Sequence, residues 1–374
     1  MPDLAQRERL FVSTTPGLEG VLAQEAGALG AVTPVEGGIE LEGTAGLHRR
    51  ANLWLRTASR VLLRLATIPA DVPSKLVAAL RALPLAPFRT PAGFALVSVE
   101  VASGPIPRRE LLRTAEDALG LRLARESLAE AGEVFAPTPV GLWIRAEGTS
   151  VTVSVDTSGA LLFRRGYRQE VSRAPLRETL AAGILALAEH RPDEGLLDPM
   201  CGSGTFLVEG VWRAMRRAPG LSRPFGFEAF AAHDAQTWEA EKAEARAGEV
   251  APSIVHGSDL NAGALGTARR NARRAGVLES LVLERRDVAA LAPPQGPVGL
   301  VVANPPYGKR VGEGGELVTL YRALGESLRT RFGGWRAAVL VPDATLGRAL
   351  GFPSPVRHVL DNGGLRVTLH VQQL

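Results

Sequence analysis

The residues Val301-Val302-Ala303-Asn304-Pro305-Pro306-Tyr307-Gly308 place an amide, two prolines and a phenol ring directly after a short apolar run. Small apolar residues suit the buried end of a parallel strand, and the residue leaving such a strand faces the crevice in which open α/β sheets bind ligands. Asn304 is therefore predicted to point into a crevice. Pro305 and Pro306 fix φ and supply no backbone donor, so the neighbouring carbonyls are open to outside donors. With the flat ring of Tyr307 beside them, these acceptors form a receptor for a planar group bearing an NH2, such as a nucleobase amine or a carboxamide. A proline-rich turn closing a core strand is the bland alternative.

A second constellation lies upstream in Asp198-Pro199-Met200-Cys201-Gly202-Ser203-Gly204-Thr205. It joins a predicted strand at 196–198 to a predicted helix at 205–217, the place where nucleotide-like cofactors lie in doubly wound folds. Gly202 and Gly204 permit positive φ and close backbone approach. A dinucleotide fingerprint needs a small residue where Leu207 stands, and a phosphate loop needs Gly-Lys followed by Ser or Thr; neither is present. Acids end three successive predicted strands: Asp198, then Asp259 in Gly257-Ser258-Asp259-Leu260-Asn261, then Asp287 before Val288. Such a ring repels a pyrophosphate and suits S-adenosylmethionine, which carries a sulfonium and an ammonium. Its ribose hydroxyls can bond Asp259 and its adenine amine Asp287. The expected cofactor-binding residues are thus Asp198, Gly202, Ser203, Gly204, Thr205, Asp259, Leu260, Asp287 and Val288. Any one of these aspartates, taken alone, could equally cap a helix.

The chain has 374 residues, 45% of them hydrophobic, and no apolar run of membrane-spanning length, which suggests a soluble globular protein of two or three domains. Residues 1–8 lack the apolar core of a signal peptide, and a cytoplasmic monomer is expected. Cys201 is the single cysteine, which excludes an intramolecular disulfide and a cysteine-rich zinc site; without a nearby histidine it reads as structural. The six histidines follow no metal-ligand spacing, so no metal is expected. The net charge is +4, and the surplus arises entirely after Ala160. Arginine supplies nearly all of the 43 basic residues, a bias that heat adaptation or genome composition produces as readily as phosphate binding.

The elements that must position these loops follow from periodicity. Strands at 10–13, 38–41 and 61–66 alternate with helices at 21–26 and 47–57, and Ile68-Pro69-Ala70-Asp71-Val72-Pro73 breaks the pattern, so a boundary is placed near residue 68. A second α/β unit follows: helix 75–83, strand 94–101, helix 108–120, and strands 141–146 and 149–155 joined by Glu147-Gly148. Residues 161–177 hold Arg164, Arg165, Tyr167, Arg168, Arg173 and Arg177, a linker whose guanidinium groups could meet phosphates or simply remain solvated. Beyond it, helices at 176–189, 205–217, 261–275 and 317–332 alternate with strands at 196–198, 253–259, 281–287, 298–303 and 337–342. A closing hairpin pairs 359–360 with 366–371. The predicted class is α/β, with a doubly wound seven-stranded sheet whose last strand is antiparallel. The run Arg269-Arg270-Asn271-Ala272-Arg273-Arg274 reads as a solvated helix face.

The segments Asp198 to Thr205 and Asn304 to Gly308 resemble the cofactor and catalytic motifs of class I Rossmann-fold methyltransferases that modify amino groups. Asp156-Thr157-Ser158-Gly159 leading to Arg165-Gly166-Tyr167-Arg168, and Ala174-Pro175-Leu176-Arg177-Glu178-Thr179-Leu180, resemble the junction of THUMP-domain RNA guanine-N2 methyltransferases, closest to the TrmN type that modifies guanosine 6 of tRNA. The likeness is strong in the motifs from residue 150 onward and rests on architecture before it. It implies an N-terminal ferredoxin-like region over 1–68, a THUMP domain over 69–160, an Arg-rich linker over 161–177 and a methyltransferase domain over 178–374. It further implies S-adenosylmethionine as cofactor, tRNA as partner, and RNA contacts from Arg164, Arg165, Tyr167 and Arg168. The near-neutral charge of residues 1–160 requires shape recognition to contribute.

The resulting expectation is in-line methyl transfer to the exocyclic N2 of a guanosine. Asn304 and the Pro305 carbonyl would accept the amine hydrogens, Pro306 would stiffen the turn, and Tyr307 would stack on a flipped base. Ribosomal RNA or another tRNA position is the nearest alternative. DNA adenine-N6 and protein glutamine-N5 methyltransferases share Asn-Pro-Pro-Tyr because their substrates present similar NH2 groups. A binding module with a decayed methyltransferase domain and a nicotinamide dehydrogenase are the rivals from other classes; Leu207 and the missing acid-base histidine weigh against the second.

Overall fold

A computed structural model describes residues 7–70, 73–124, 139–169, 176–306 and 314–374. The chain divides into two compact units, one drawn from Met1–Thr14, Leu22–Arg164 and Gly220–Ala243, the other from Thr15–Val21, Arg165–Pro219 and Glu244–Leu374.

Through Asp156 the chain forms β1 (Arg7–Thr14), α1 (Glu19–Ala26), β2 (Ala31–Val35), β3 (Gly38–Thr44), α2 (Leu47–Trp54), β4 (Ala58–Pro69), α3 (Pro73–Arg81), β5 (Phe94–Val101), α4 (Arg108–Leu119), β6 (Val140–Glu147) and β7 (Ser150–Asp156). Their strands make one seven-stranded sheet in the order β2-β3-β1-β4-β7-β6-β5. β4 pairs antiparallel with β1 along one edge and with β7 along the other. The boundary expected near residue 68 thus falls at the end of a strand shared by both halves of the sheet. β2, which periodicity does not suggest, carries Pro34 and lies at the sheet edge, where a missing N–H donor does no harm. Asp156-Thr157-Ser158-Gly159 is a buried polar tie. Asp156 pairs with Arg60, Thr157 accepts from the Asn52 amide at 2.8 Å, and Ser158 donates to Asn52 Oδ1 at 2.7 Å.

From residue 178 the elements are α5 (Glu178–Leu187), β8 (Gly195–Asp198), α6 (Thr205–Ala214), α7 (Ala235–Ala247), β9 (Val255–Asp259), α8 (Ala262–Arg274), β10 (Leu281–Arg285), β11 (Gly299–Ala303), α9 (Gly314–Arg331), β12 (Arg336–Val341), α10 (Ala344–Leu350), β13 (Val356–Asn362) and β14 (Leu365–Gln373). Periodicity does not predict α7 or α10. α10 is started by Asp343, whose side chain accepts the N–H groups of Thr345 and Leu346. The sheet runs β10-β9-β8-β11-β12-β14-β13. Strands β8 to β12 are parallel, and β14 is antiparallel to β12. This is the expected α/β class with its antiparallel closing strand. All five residues of β11 are buried, because apolar clusters cover both sheet faces, one including Leu300 and Val302 and the other Val301 and Ala303.

Among the described residues no helix is long and apolar enough to cross a membrane, and no group of three or more His, Cys, Asp or Glu could hold a metal ion.

Candidate active site

From β8 the chain passes to β9 and β10 on one side, then returns to β11 and β12 on the other, so strand order reverses between β8 and β11. Open α/β sheets bind ligands outside the carboxyl ends of the strands at such a reversal. Asp198 ends β8 at this point, 2% exposed, and accepts the Met200 N–H at 3.1 Å. Burial pushes its carboxyl well above the usual carboxylate range, and Asp259 adds to the rise. Among the described residues no basic side chain pairs with it. A cationic ligand would relieve that burden, since a buried carboxylate is stable only when paired.

The loop after β8 is held from two directions. The Cys201 N–H donates to the Ser258 carbonyl at 2.9 Å, and the Gly202 N–H donates to Asp259 Oδ2 at 2.9 Å. From α8, the fully buried Asn271 amide donates to the Ser203 carbonyl at 3.0 Å. Gly204, at φ 83°, opens α6 in a left-handed conformation, and a Cβ there would sit 3.2 Å from the Ala268 Cβ. Ser203 and Thr205 are buried, with their hydroxyls 3.4 Å apart. Cys201 is buried as well; burial, then Asp198 and Asp259, push its thiol up, so it stays protonated and unreactive.

Asp259 uses its other oxygen to accept the Asn261 N–H at 2.8 Å, and Asn261 in turn caps α8. Leu260 beside it is 57% exposed. Asp287 lies two residues past β10 and accepts the Ala289 N–H at 2.8 Å, so it also serves as the local cap, while Val288 is buried. The three aspartates therefore stand at the carboxyl ends of three adjacent strands, as the strand order requires.

Asn304 follows β11 directly. Val301 pairs with Leu197 and Ala303 with Val339, so Asn304 leaves the sheet at the edge from which the Asp198 to Thr205 loop departs. The residue is half-buried, and its Oδ1 is buried without a hydrogen-bond partner among the described residues. An orphaned acceptor costs folding energy unless a ligand completes it. Pro305 is buried and Pro306 half-buried. Tyr307 lies outside the described residues.

The Arg-rich segment corrects an expectation. Arg165 and Tyr167 are 2% and 1% exposed, and the Arg168 side chain 7%. Tyr167 donates its hydroxyl to Glu209 at 3.3 Å and meets Trp212 edge to face, while Arg165 Nε lies 3.7 Å from Glu209. Arg168 pairs with Glu178 at 2.9 Å and donates to the Leu176 carbonyl. These three side chains are turned inward against acids, away from any phosphate. Arg164 is half-buried, and Arg173 lies outside the described residues. The signal for this network was present in α5 and α6: Glu178 and Glu209 are acids set among mainly apolar residues, and a buried charge calls for a partner.

The description RMKL-like, methyltransferase domain, matches residues 165–368, and that of an RlmL ferredoxin-like domain matches 9–62. A ribosomal RNA large subunit methyltransferase K/L from Syntrophotalea carbinolica is 38% identical over 379 residues, covering 96% of this chain and 53% of the relative. The chain thus spans about half the length of the curated relative it matches. Among solved structures, that of SMU.472 complexed with SAH superposes with a TM-score of 0.82 at 26% identity over 98% of both chains. TrmN from Thermus thermophilus gives a TM-score of 0.72 at 24% identity over 98% of this chain and 100% of that one, a likeness of fold alone.

Proposed function

The chain belongs to the RMKL-like methyltransferase family, and on that premise we propose that it methylates the exocyclic N2 of a guanosine in ribosomal RNA, with S-adenosylmethionine as donor. The donor supplies an electrophilic methyl group when bound. Asp198 would hold its ammonium, Asp259 its ribose hydroxyls and Asp287 its adenine amine. Leu260 and Val288 would flank the adenine, and Gly202, Ser203, Gly204 and Thr205 would form the floor. Asp198 fits that cationic group because it is a buried acid with no basic partner among the described residues.

The observation that carries the reading is the buried Oδ1 of Asn304 at the strand reversal, which has no partner among the described residues. The lone pair of an exocyclic amine is delocalised into the base, which makes it a poor nucleophile. Accepting its hydrogens at Asn304 Oδ1 and at the Pro305 carbonyl would draw the nitrogen toward tetrahedral geometry and aim the lone pair outward. Tyr307 is assigned to stacking on the extruded base.

Ribosomal RNA is preferred to the tRNA expected from the motifs because the curated relative that covers nearly the whole chain is a ribosomal RNA enzyme. The THUMP assignment of residues 69–160 and the tRNA position 6 substrate form the second reading, carried by the junction motifs. Offering radiolabelled donor with large-subunit ribosomal RNA, tRNA, duplex DNA or a release factor separates the substrates. Mass-spectrometric mapping of the product is expected to locate an N2-methylguanosine in ribosomal RNA. Label in DNA or protein would overturn the proposal, and label in tRNA alone would transfer it to the second reading.

A further inference from the structure

A cleft of about 890 Å³ is bounded by the end of β12, by α10 and by the β13–β14 hairpin. Arg366, Thr368 and His370 alternate along β14 and therefore share one face, and Arg357 of β13 stands opposite His370 in the antiparallel register. Arg348 lines the cleft from α10. All three arginines are exposed or half-exposed. Arg348 donates to the Thr345 hydroxyl at 3.3 Å, and neither Arg357 nor Arg366 forms an ion pair among the described residues. Asp343 is the acid in the lining, and its Oδ1 is occupied by two N–H groups at the start of α10. Three arginines against one aspartate leave the lining net cationic, and Asp361, opposite Arg366 in the hairpin register, accepts the Gly364 N–H at 2.9 Å. His370 is 7% exposed, and its Nδ1 is buried without a hydrogen-bond partner among the described residues.

The position of the cleft gives this chemistry a purpose. β12 is the parallel neighbour of β11, with Ala303 level with Val339, so Asn304 and Val341 leave the same sheet edge on adjacent strands, which lie roughly 5 Å apart. Planar guanidinium groups grip phosphate oxygens bidentately, and phosphates along a nucleic-acid strand recur every few ångströms.

We propose that Arg348, Arg357 and Arg366, with Thr368 and His370, bind phosphodiester groups of the RNA strand that carries the target nucleotide. This rests on the reading that the substrate is RNA. The site positions the strand while Asn304 receives the base.

An Arg357→Ala/Arg366→Ala variant of the full chain tests it. Retention of transcribed large-subunit ribosomal RNA on filters, followed over a potassium chloride series, is expected to weaken roughly tenfold, with the slope of log affinity against log salt shallower by about one to two. Calorimetric affinity for S-adenosylmethionine, and kcat at saturating RNA, are expected to match wild type. The paired Arg→Lys variant is expected to recover the salt slope, because charge supplies counterion release. Wild-type affinity and slope in the double alanine variant would overturn the phosphate site and leave the RNA reading intact. A wild-type chain that neither binds nor methylates ribosomal RNA would overturn both.

Discussion

The Gly202 N–H donates to Asp259 Oδ2 at 2.9 Å and so ties the loop after β8 to the end of β9. Gly202 reaches this geometry at φ 53°, and the second Asp259 oxygen is held by the Asn261 N–H. One carboxylate therefore sets the shape of two loops that would face a common ligand.

Replacing Asp259 by Ala removes both carboxylate oxygens that accept the backbone N–H groups of Gly202 and Asn261. Hydrogen bonds to a charged group contribute about 1.5–3 kcal/mol each, so affinity for S-adenosylmethionine is expected to fall at least tenfold in calorimetry. Asp259→Asn retains one acceptor oxygen and should lose less. Wild-type affinity in both variants would remove Asp259 from the cofactor site.

Asn304→Ala deletes the orphaned acceptor without touching the aspartates. Turnover is expected to drop roughly 10²- to 10³-fold with cofactor affinity nearly unchanged, the pattern of a contact made chiefly in the transition state. Single-turnover kinetics beside calorimetry measure the two effects separately. Near-normal turnover would exclude Asn304 from the chemistry.

Gly204→Ala forces a side chain into a left-handed residue, 3.2 Å from Ala268. Strain of this kind costs about 1–3 kcal/mol, so denaturant unfolding should show a lower midpoint. Gly333→Ala provides the control, because nothing among the described residues lies within 4 Å of a Cβ there. Equal midpoints for the two variants would contradict the close approach of α8.

Burial raises the Glu178 carboxyl to about 7, against the opposing pull of Arg168. A carboxyl whose pKa is higher in the folded chain than its ordinary 4.5 binds its proton more tightly when folded. Its contribution to stability is full below that ordinary value and is lost as pH rises through about 7. Unfolding free energy measured across this window is expected to decline more steeply for wild type than for Glu178→Gln. Parallel profiles would show that Glu178 is ionised throughout.

The candidate site was legible because its signals are local. An asparagine before two prolines, a Gly-x-Gly turn and acids at strand ends each sit within a few residues of the strand that presents them. The strands β8 to β12 are likewise legible from local periodicity, while their spatial order β10-β9-β8-β11-β12 comes from the pairings. The first seven-stranded sheet was not legible, because β4 joins β1 and β7 through pairings that leave no local pattern. Arg165 and Arg168 misled for a related reason: composition reports their charge, while the acids that draw them inward lie on α6 and α5.

By itself the sequence determined which backbone shapes and which polar groups are available at each strand end, since φ preferences and hydropathic alternation act over a few residues. Only the tertiary structure decided that, among the described residues, Asp198 is buried without a cationic partner and Asn304 keeps an unpaired oxygen at the strand reversal, and that three arginines converge between α10 and the last hairpin. Burial and strand pairing sum interactions between segments far apart in the chain, and no short window of residues contains that sum.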